Sequence, residues 1–274
     1  MMQAGWRWWA TVVVLGAAGL YGCAQPGAAP LPAPAAPSAS TDLMTESDEP
    51  ESLKRARIRL ELAAGYLEQN QTTVALDEVK QALTAEPSYA AAHNLRGLIY
   101  LRLNQPALAQ TSFEQALRLA PQDADVLHNL GWLHCQQARY PEAQRHFERA
   151  LQVPQYAAAA RTWMAQGVCQ ARAGQLAEAE RSLTRSFELD AANPITTYNL
   201  AALLLRRGEL ERARFYVRRL NNSELANAES LWLGMRVEQR LGNAEAVRQL
   251  GEQLRRRFPD SRERQAYEQG SFYD

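Results

Sequence analysis

Few residues in this 274-residue chain could do chemistry, and their spacing is poor for it. The four histidines are His93, His128, His134 and His146. A zinc pair on one helix face needs two of them three or four residues apart, and none are. His128 and His134, six apart, point to different sides of a helix. No HExxH, GxSxG, P-loop or dinucleotide-binding glycine run occurs. Carboxylates sit in stretches such as Glu178-Ala179-Glu180-Arg181, which read as solvated helix faces. The sequence therefore predicts no catalytic residue, no metal site and no cofactor. Arginines cluster at 206–207, 212–219 and 255–257, but Glu209, Glu211 and Glu252 interleave with them. Charge pairing along helix surfaces accounts for that pattern. With 30 basic against 30 acidic residues, no nucleic-acid partner is expected.

The elements that must position these residues are set by a repeat. Gly97 and Gly131 are 34 residues apart, as are Ala109 and Ala143, Phe113 and Phe147, Ala116 and Ala150, and Pro87 and Pro121. That order at that period resembles the tetratricopeptide (TPR) repeat, a helical hairpin that buries its apolar face only by stacking on neighbours. Six repeats are expected, at about 56–89, 90–123, 124–157, 160–193, 194–227 and 228–261, within a folded region 52–261. The register slips by two residues between the third and fourth, since Gly131 to Gly167 and Ala143 to Ala179 are both 36. Gly174, Gly208 and Gly242 then return to 34 and should end first helices in a left-handed turn. Repeat six lacks the small residues, having Met235 and Val247 in their places. Residues 262–274 should cap the stack. The expected fold is all-α: a right-handed TPR superhelix with a concave and a convex face.

Ahead of the helices, residues 1–22 read as an export signal, with a short apolar run that ends at Leu20-Tyr21-Gly22-Cys23. The tetrapeptide resembles a bacterial lipobox, although Tyr21 departs from the small residue usual there. Cys23 would then be acylated, anchoring the chain in lipid without spanning it. Ala24 follows, which by the lipoprotein sorting rule implies the outer membrane. Residues 23–51 alternate Pro with Ala and Gly and then turn acidic, the composition of a disordered tether.

In a TPR hairpin the first helix lines the concave groove. The inward positions select Leu60, Ala64 and Leu67 in repeat one and Asn94, Leu98, Leu101 and Arg102 in repeat two. Repeat three gives His128, Trp132 and Gln136; repeat four gives Met164, Val168 and Arg172. Such a channel suits a peptide, although some of these side chains could instead pack against a neighbouring helix. Cys135 and Cys169 fall on the first helices of repeats three and four. In an oxidising compartment a disulfide between them would brace the irregular joint; two independent small core residues are the alternative.

A lipobox, a short tether and six TPRs with an irregular third joint resemble the type IV pilus assembly lipoproteins of the PilF/PilW family. Leu231-Trp232-Leu233-Gly234-Met235-Arg236, Phe258-Pro259-Asp260-Ser261 and Ala92-His93-Asn94-Leu95-Arg96-Gly97 are similar to stretches of that family. The resemblance implies a pilotin. Such a protein binds the PilQ-like secretin subunit of the pilus machine, directs it to the outer membrane and promotes its multimerisation. It further implies secretin contact through early repeats, at Leu60, Leu67, Leu98 and Leu101. An adaptor lipoprotein for another envelope complex and a subunit of a polysaccharide export enzyme are the rival readings.

Overall fold

A computed structural model describes residues 49–271 of the chain. The signal, Cys23 and nearly all of the tether lie outside the described residues, as do 272–274. The described residues form thirteen helices and no strand. The first hairpin is α1 (Glu51–Glu68) and α2 (Thr72–Ala85), the second α3 (Ala90–Arg102) and α4 (Pro106–Leu119). The third is α5 (Ala124–Gln136) and α6 (Tyr140–Leu151), the fourth α7 (Ala159–Arg172) and α8 (Leu176–Leu189). Then come α9 (Pro194–Arg206) with α10 (Leu210–Asn221), and α11 (Ala228–Arg240) with α12 (Ala244–Arg257). A short α13 (Arg262–Glu268) follows. Six helical hairpins with a closing helix is the architecture that the repeat implied.

Each hairpin turns at one residue with positive φ. Asn70, Asn104 and Ala138 hold it in the first three hairpins, at 59°, 55° and 58°; Gly174, Gly208 and Gly242 hold it in the last three, at 81°, 78° and 74°. The left-handed conformation breaks the first helix and reverses the chain. Glycine adopts it freely and asparagine tolerates it, whereas Ala138 pays a steric penalty there. The second helices can then start without a side-chain cap in most hairpins, and Pro106 and Pro141 occupy first-turn positions where no N–H is needed.

Packing within a hairpin depends on a pair of positions sixteen residues apart. They hold Ala63 and Val79, Gly97 and Phe113, Gly131 and Phe147, Gly167 and Leu183, and Ala201 and Val217. A small residue on the first helix accepts a large one from the second. A Cβ at Gly97 would stand 2.4 Å from Phe113 Cε1, and one at Gly131 would stand 2.7 Å from Phe147. Repeat six inverts the pair: Met235 and Gly251. What looked in the sequence like a missing small residue is a small residue moved to the other helix. The vacancy beside Gly251 is taken by Tyr267 of α13, whose ring would lie 2.3 Å from an added Cβ.

The core runs on from hairpin to hairpin. Ala109, Phe113 and Ala116 pack with Val126, Leu130 and Leu133 of the next repeat. Phe147 and Ala143 pack with Ala165 and Cys169 across the irregular joint. There the link 152–158 replaces the four-residue links 120–123 and 190–193. The longer link is tied down by polar contacts. Tyr156 donates its hydroxyl hydrogen to Asp125 Oδ1 at 3.2 Å and accepts from Thr162 Oγ1 at 3.1 Å. Arg161 pairs with the same carboxylate at 2.5 Å. Buried His128 Nδ1 lies 2.9 Å from Thr162 Oγ1.

Candidate interaction groove

Successive first helices touch one another directly: α1 meets α3, α5 meets α7, α7 meets α9 and α9 meets α11. Second helices pack mainly on the first helix of the next hairpin, although Arg212 of α10 also reaches Glu180 of α8 at 2.7 Å. A stack joined more closely along its first helices curves toward them, so they form the inner wall. The last residue of a first helix often reaches back along that wall. Arg102 Nη1 donates to Leu67 O at 2.8 Å and to Asn70 Oδ1 at 3.0 Å. Arg240 Nη1 donates to Leu205 O at 3.3 Å. In both cases a cation caps the carbonyl end of the preceding helix, where the helix dipole favours positive charge. Arg172 instead lies over the Trp132 ring, 5.4 Å from its centroid.

The residues selected from the sequence divide by accessibility. Leu60, Ala64, Leu98, Leu101 and Trp132 are half-buried, and Arg102 is exposed. Leu98 bridges the clusters of adjacent hairpins, and Leu101 and Trp132 each lie against a core cluster with part of the side chain open. Asn94 is half-buried and accepts a hydrogen bond from Asn129 Nδ2 at 2.9 Å, which links α3 to α5. Leu67 and His128 are buried, at 9% and 8% exposure. Leu67 belongs to the first core cluster and His128 to the polar network of the irregular joint, so neither offers a surface to a partner. Position within the repeat selected the inward face, but it did not show how closely the next first helix covers it.

Cys135 and Cys169 are bonded, with Cα atoms 5.7 Å apart, a separation natural to a disulfide. The bridge spans α5 and α7, next to the lengthened link.

The histidines are used for packing. His93 Nε2 donates to Pro87 O at 2.9 Å, its Nδ1 accepts from Arg96 Nη2 at 3.1 Å, and burial lowers its pKa. Burial pushes His128 down to about 4, with Arg161 adding to the shift. His134 and His146 stack with ring centroids 5.2 Å apart. That contact joins α5 to α6, and a search along single helices could not reveal it. Burial, then the neighbouring His134, lowers His146 to about 4. Among the described residues no group of three or more His, Cys, Asp or Glu side chains is placed to hold a metal ion.

A second concavity escaped the sequence reading. Between α6, α7 and α8, on the outer side of the irregular joint, a cleft of about 560 Å³ is lined by Trp163, Gln166, Gln170, Gln144 and Arg181 among others. Gln170 is held there by Ser182 Oγ, which donates to its Oε1 at 2.8 Å, and donates in turn to Gln144 Oε1 at 3.2 Å.

Two tetratricopeptide repeat models match the sequence, over residues 88–155 and 128–194. The fold superposes on the crystal structure of PilW, described as a widely conserved type IV pilus biogenesis factor. The TM-score is 0.73 and the identity 31%, covering 77% of this chain and 97% of that one. The chain belongs to the PilW family. Pseudomonas aeruginosa PilF agrees, with a TM-score of 0.71 and 27% identity over 80% of this chain and 99% of PilF. YrrB, a TPR protein with an unusual peptide-binding site, shares the fold alone, with a TM-score of 0.55 and 17% identity over 70% of this chain and 97% of its own. No curated protein sequence matches the chain. The PilW and PilF chains are covered almost end to end, so the six-hairpin array corresponds to nearly the whole of each.

Proposed function

We propose that the protein is a non-catalytic pilotin of type IV pilus biogenesis. It binds the PilQ-like secretin subunit, carries it to the outer membrane and promotes its multimerisation. The observation that carries this reading is the 31% identity to PilW across 97% of that chain. The inner wall of first helices supports it physically, because it offers an open surface of half-buried apolar side chains at Leu60, Leu98, Leu101 and Trp132. In this reading Cys23 carries the acyl chains that supply membrane affinity, and the TPR array faces the periplasm and supplies the grip. No step needs a bond to be made or broken: two-site attachment, lipid at one end and polypeptide at the other, raises the local concentration of secretin subunits at the membrane.

The test is a deletion strain complemented with the native chain, with Cys23→Ser, or with Leu98→Asp/Leu101→Asp. The native chain should restore twitching motility and heat-stable secretin multimers in the outer membrane. Cys23→Ser should leave secretin outside the outer-membrane fraction. The groove variant should lose secretin on affinity capture, with circular dichroism checking that its helices are kept, because Leu98 and Leu101 also touch core clusters. A deletion strain with normal secretin multimers and normal motility would overturn the proposal.

A further inference from the structure

The charge balance of the whole chain hides a segregation between the two walls of repeats two to six, α1 with Glu51, Glu61 and Glu68 standing apart from it. Helices α3, α7 and α9 contain no Asp or Glu, and the one carboxylate of α5, Asp125, is paired with Arg161. In α11 there are two, Glu229 and the buried Glu238, and Arg218 pairs with the latter at 2.7 Å. Carboxylates are concentrated on the second helices and the turns before them. There Arg181, Arg185, Arg212, Arg214 and Arg218 each have an acidic partner within 4 Å. The inner wall keeps unpaired cations. Arg172, Arg206 and Arg240 end three successive first helices 34 residues apart; all are exposed, and none forms an ion pair among the described residues. Arg172 and Arg240 reach back toward the preceding first helix, which lays them along the wall. One turn or more before them on the same helices, Val168, Tyr198 and Ala202 are half-buried.

We infer that the inner wall of repeats four to six receives an acidic polypeptide segment with interleaved apolar residues. Its carboxylates engage Arg172, Arg206 and Arg240, and its apolar side chains rest on Val168, Tyr198 and Ala202. The inference rests on the reading that this groove docks a polypeptide, and it adds the chemical class of the occupant and the half of the array that selects it. Guanidinium groups match carboxylates in planar, two-point contacts. Helices α7 and α9 bring no carboxylate to repel such a partner, Glu229 being the one exposed carboxylate on the first helices of these repeats, and complementary charge steers its approach. Apolar positions between the cations favour a polypeptide over a nucleic acid, whose backbone would use only the charges.

The test is a fluorescence titration of the full chain with a short labelled peptide alternating Glu and Leu, and with its Gln and Lys counterparts. The Glu peptide should bind about tenfold or more tightly than the Gln peptide, with the difference shrinking as salt is raised. Reversal of the rail in Arg172→Glu/Arg206→Glu/Arg240→Glu should remove that preference. Arg181→Glu/Arg185→Glu, on the outer helix α8, should leave it within about twofold. Circular dichroism shows whether each variant has kept its helices, and Arg206→Gln, at an exposed position, serves if the triple variant unfolds. Equal binding of Glu and Gln peptides would overturn the inference while leaving a docking groove in place. Failure of the native chain to bind any of the peptides would overturn both. Preferential binding of a single-stranded oligonucleotide over the Glu peptide would also overturn it.

Discussion

Replacing Gly97 by alanine tests the packing rule that sets the shape of every hairpin. The added Cβ would meet Phe113 Cε1 at 2.4 Å and Cδ1 at 2.5 Å. Carbon atoms pack best near about 3.5–4.0 Å, so the ring or the helix must yield by roughly 1 Å. Overpacking of this kind costs about 1–3 kcal/mol. Against it, alanine in a helix interior gains roughly 1 kcal/mol over glycine. The net expectation is a loss of up to about 2 kcal/mol. Gly65 in α1 is the internal control, because nothing lies within 4 Å of its Cβ position. Gly65→Ala should therefore keep the helix gain and stabilise the protein by about 1 kcal/mol. Phe113→Val alone should cost about 2 kcal/mol or more, through the cavity it leaves. The double variant Gly97→Ala/Phe113→Val recreates the Ala201–Val217 pair found in repeat five. It should be more stable than the sum of the two single losses by at least about 1 kcal/mol. Urea denaturation followed by far-UV circular dichroism measures all four variants. If Gly97→Ala and Gly65→Ala shift the midpoint in the same direction, or if the two repeat-two losses simply add, the small-against-large rule is wrong.

Three further outcomes are expected. Reduction of the Cys135–Cys169 bridge, which joins residues 34 apart, should lower unfolding stability by about 4 kcal/mol in the chain-entropy account; a urea midpoint that does not move with reductant would count against it. Ala138→Gly should stabilise by roughly 0.5–1 kcal/mol, because alanine sits at φ 58° where glycine is unstrained; a lower melting temperature would contradict that strain. His128 is held neutral in the folded state, with its pKa lowered to about 4, while the unfolded chain binds a proton below about 6.5. Its contribution is thus fully present above that higher value and is lost as pH falls toward 4. His128→Gln should flatten the stability profile in that window, and an unchanged slope would show that another group governs it.

Much of this fold was legible in the sequence because TPR packing is written in residue size. The Gly97–Gly131 and Phe113–Phe147 intervals locate hairpins without any knowledge of the third dimension, and Gly174, Gly208 and Gly242 mark their turns. The same turn in the first three hairpins was harder to see, since Asn70, Asn104 and Ala138 include no glycine. Repeat six seemed degenerate only because size was followed on one helix; the Met235–Gly251 inversion becomes visible when both members of the pair are read together. The groove was legible as a face but not as a surface. Leu67 and His128 have the right register, yet the first is taken into a core cluster and the second into the polar contacts of the third joint, which register alone does not reveal. The His134–His146 stack escaped for a related reason: its members lie on different helices, and only the hairpin geometry folds the eleven intervening residues back on themselves.

The arrangement at the carboxyl end bears on how such an array could change its length. Tyr267 occupies the hollow at Gly251, and Arg255 lies 5.0 Å from its ring centre, so the last hairpin is plugged by a residue that is not part of any repeat. A seventh unit appended there would have to evict the plug and would meet a hairpin whose size pattern is reversed. Gene duplication could lengthen the array far more readily in the middle, between units that share one pattern, than at this terminus. The inverted sixth unit and its tyrosine together close the hollow that the earlier units fill from within the hairpin.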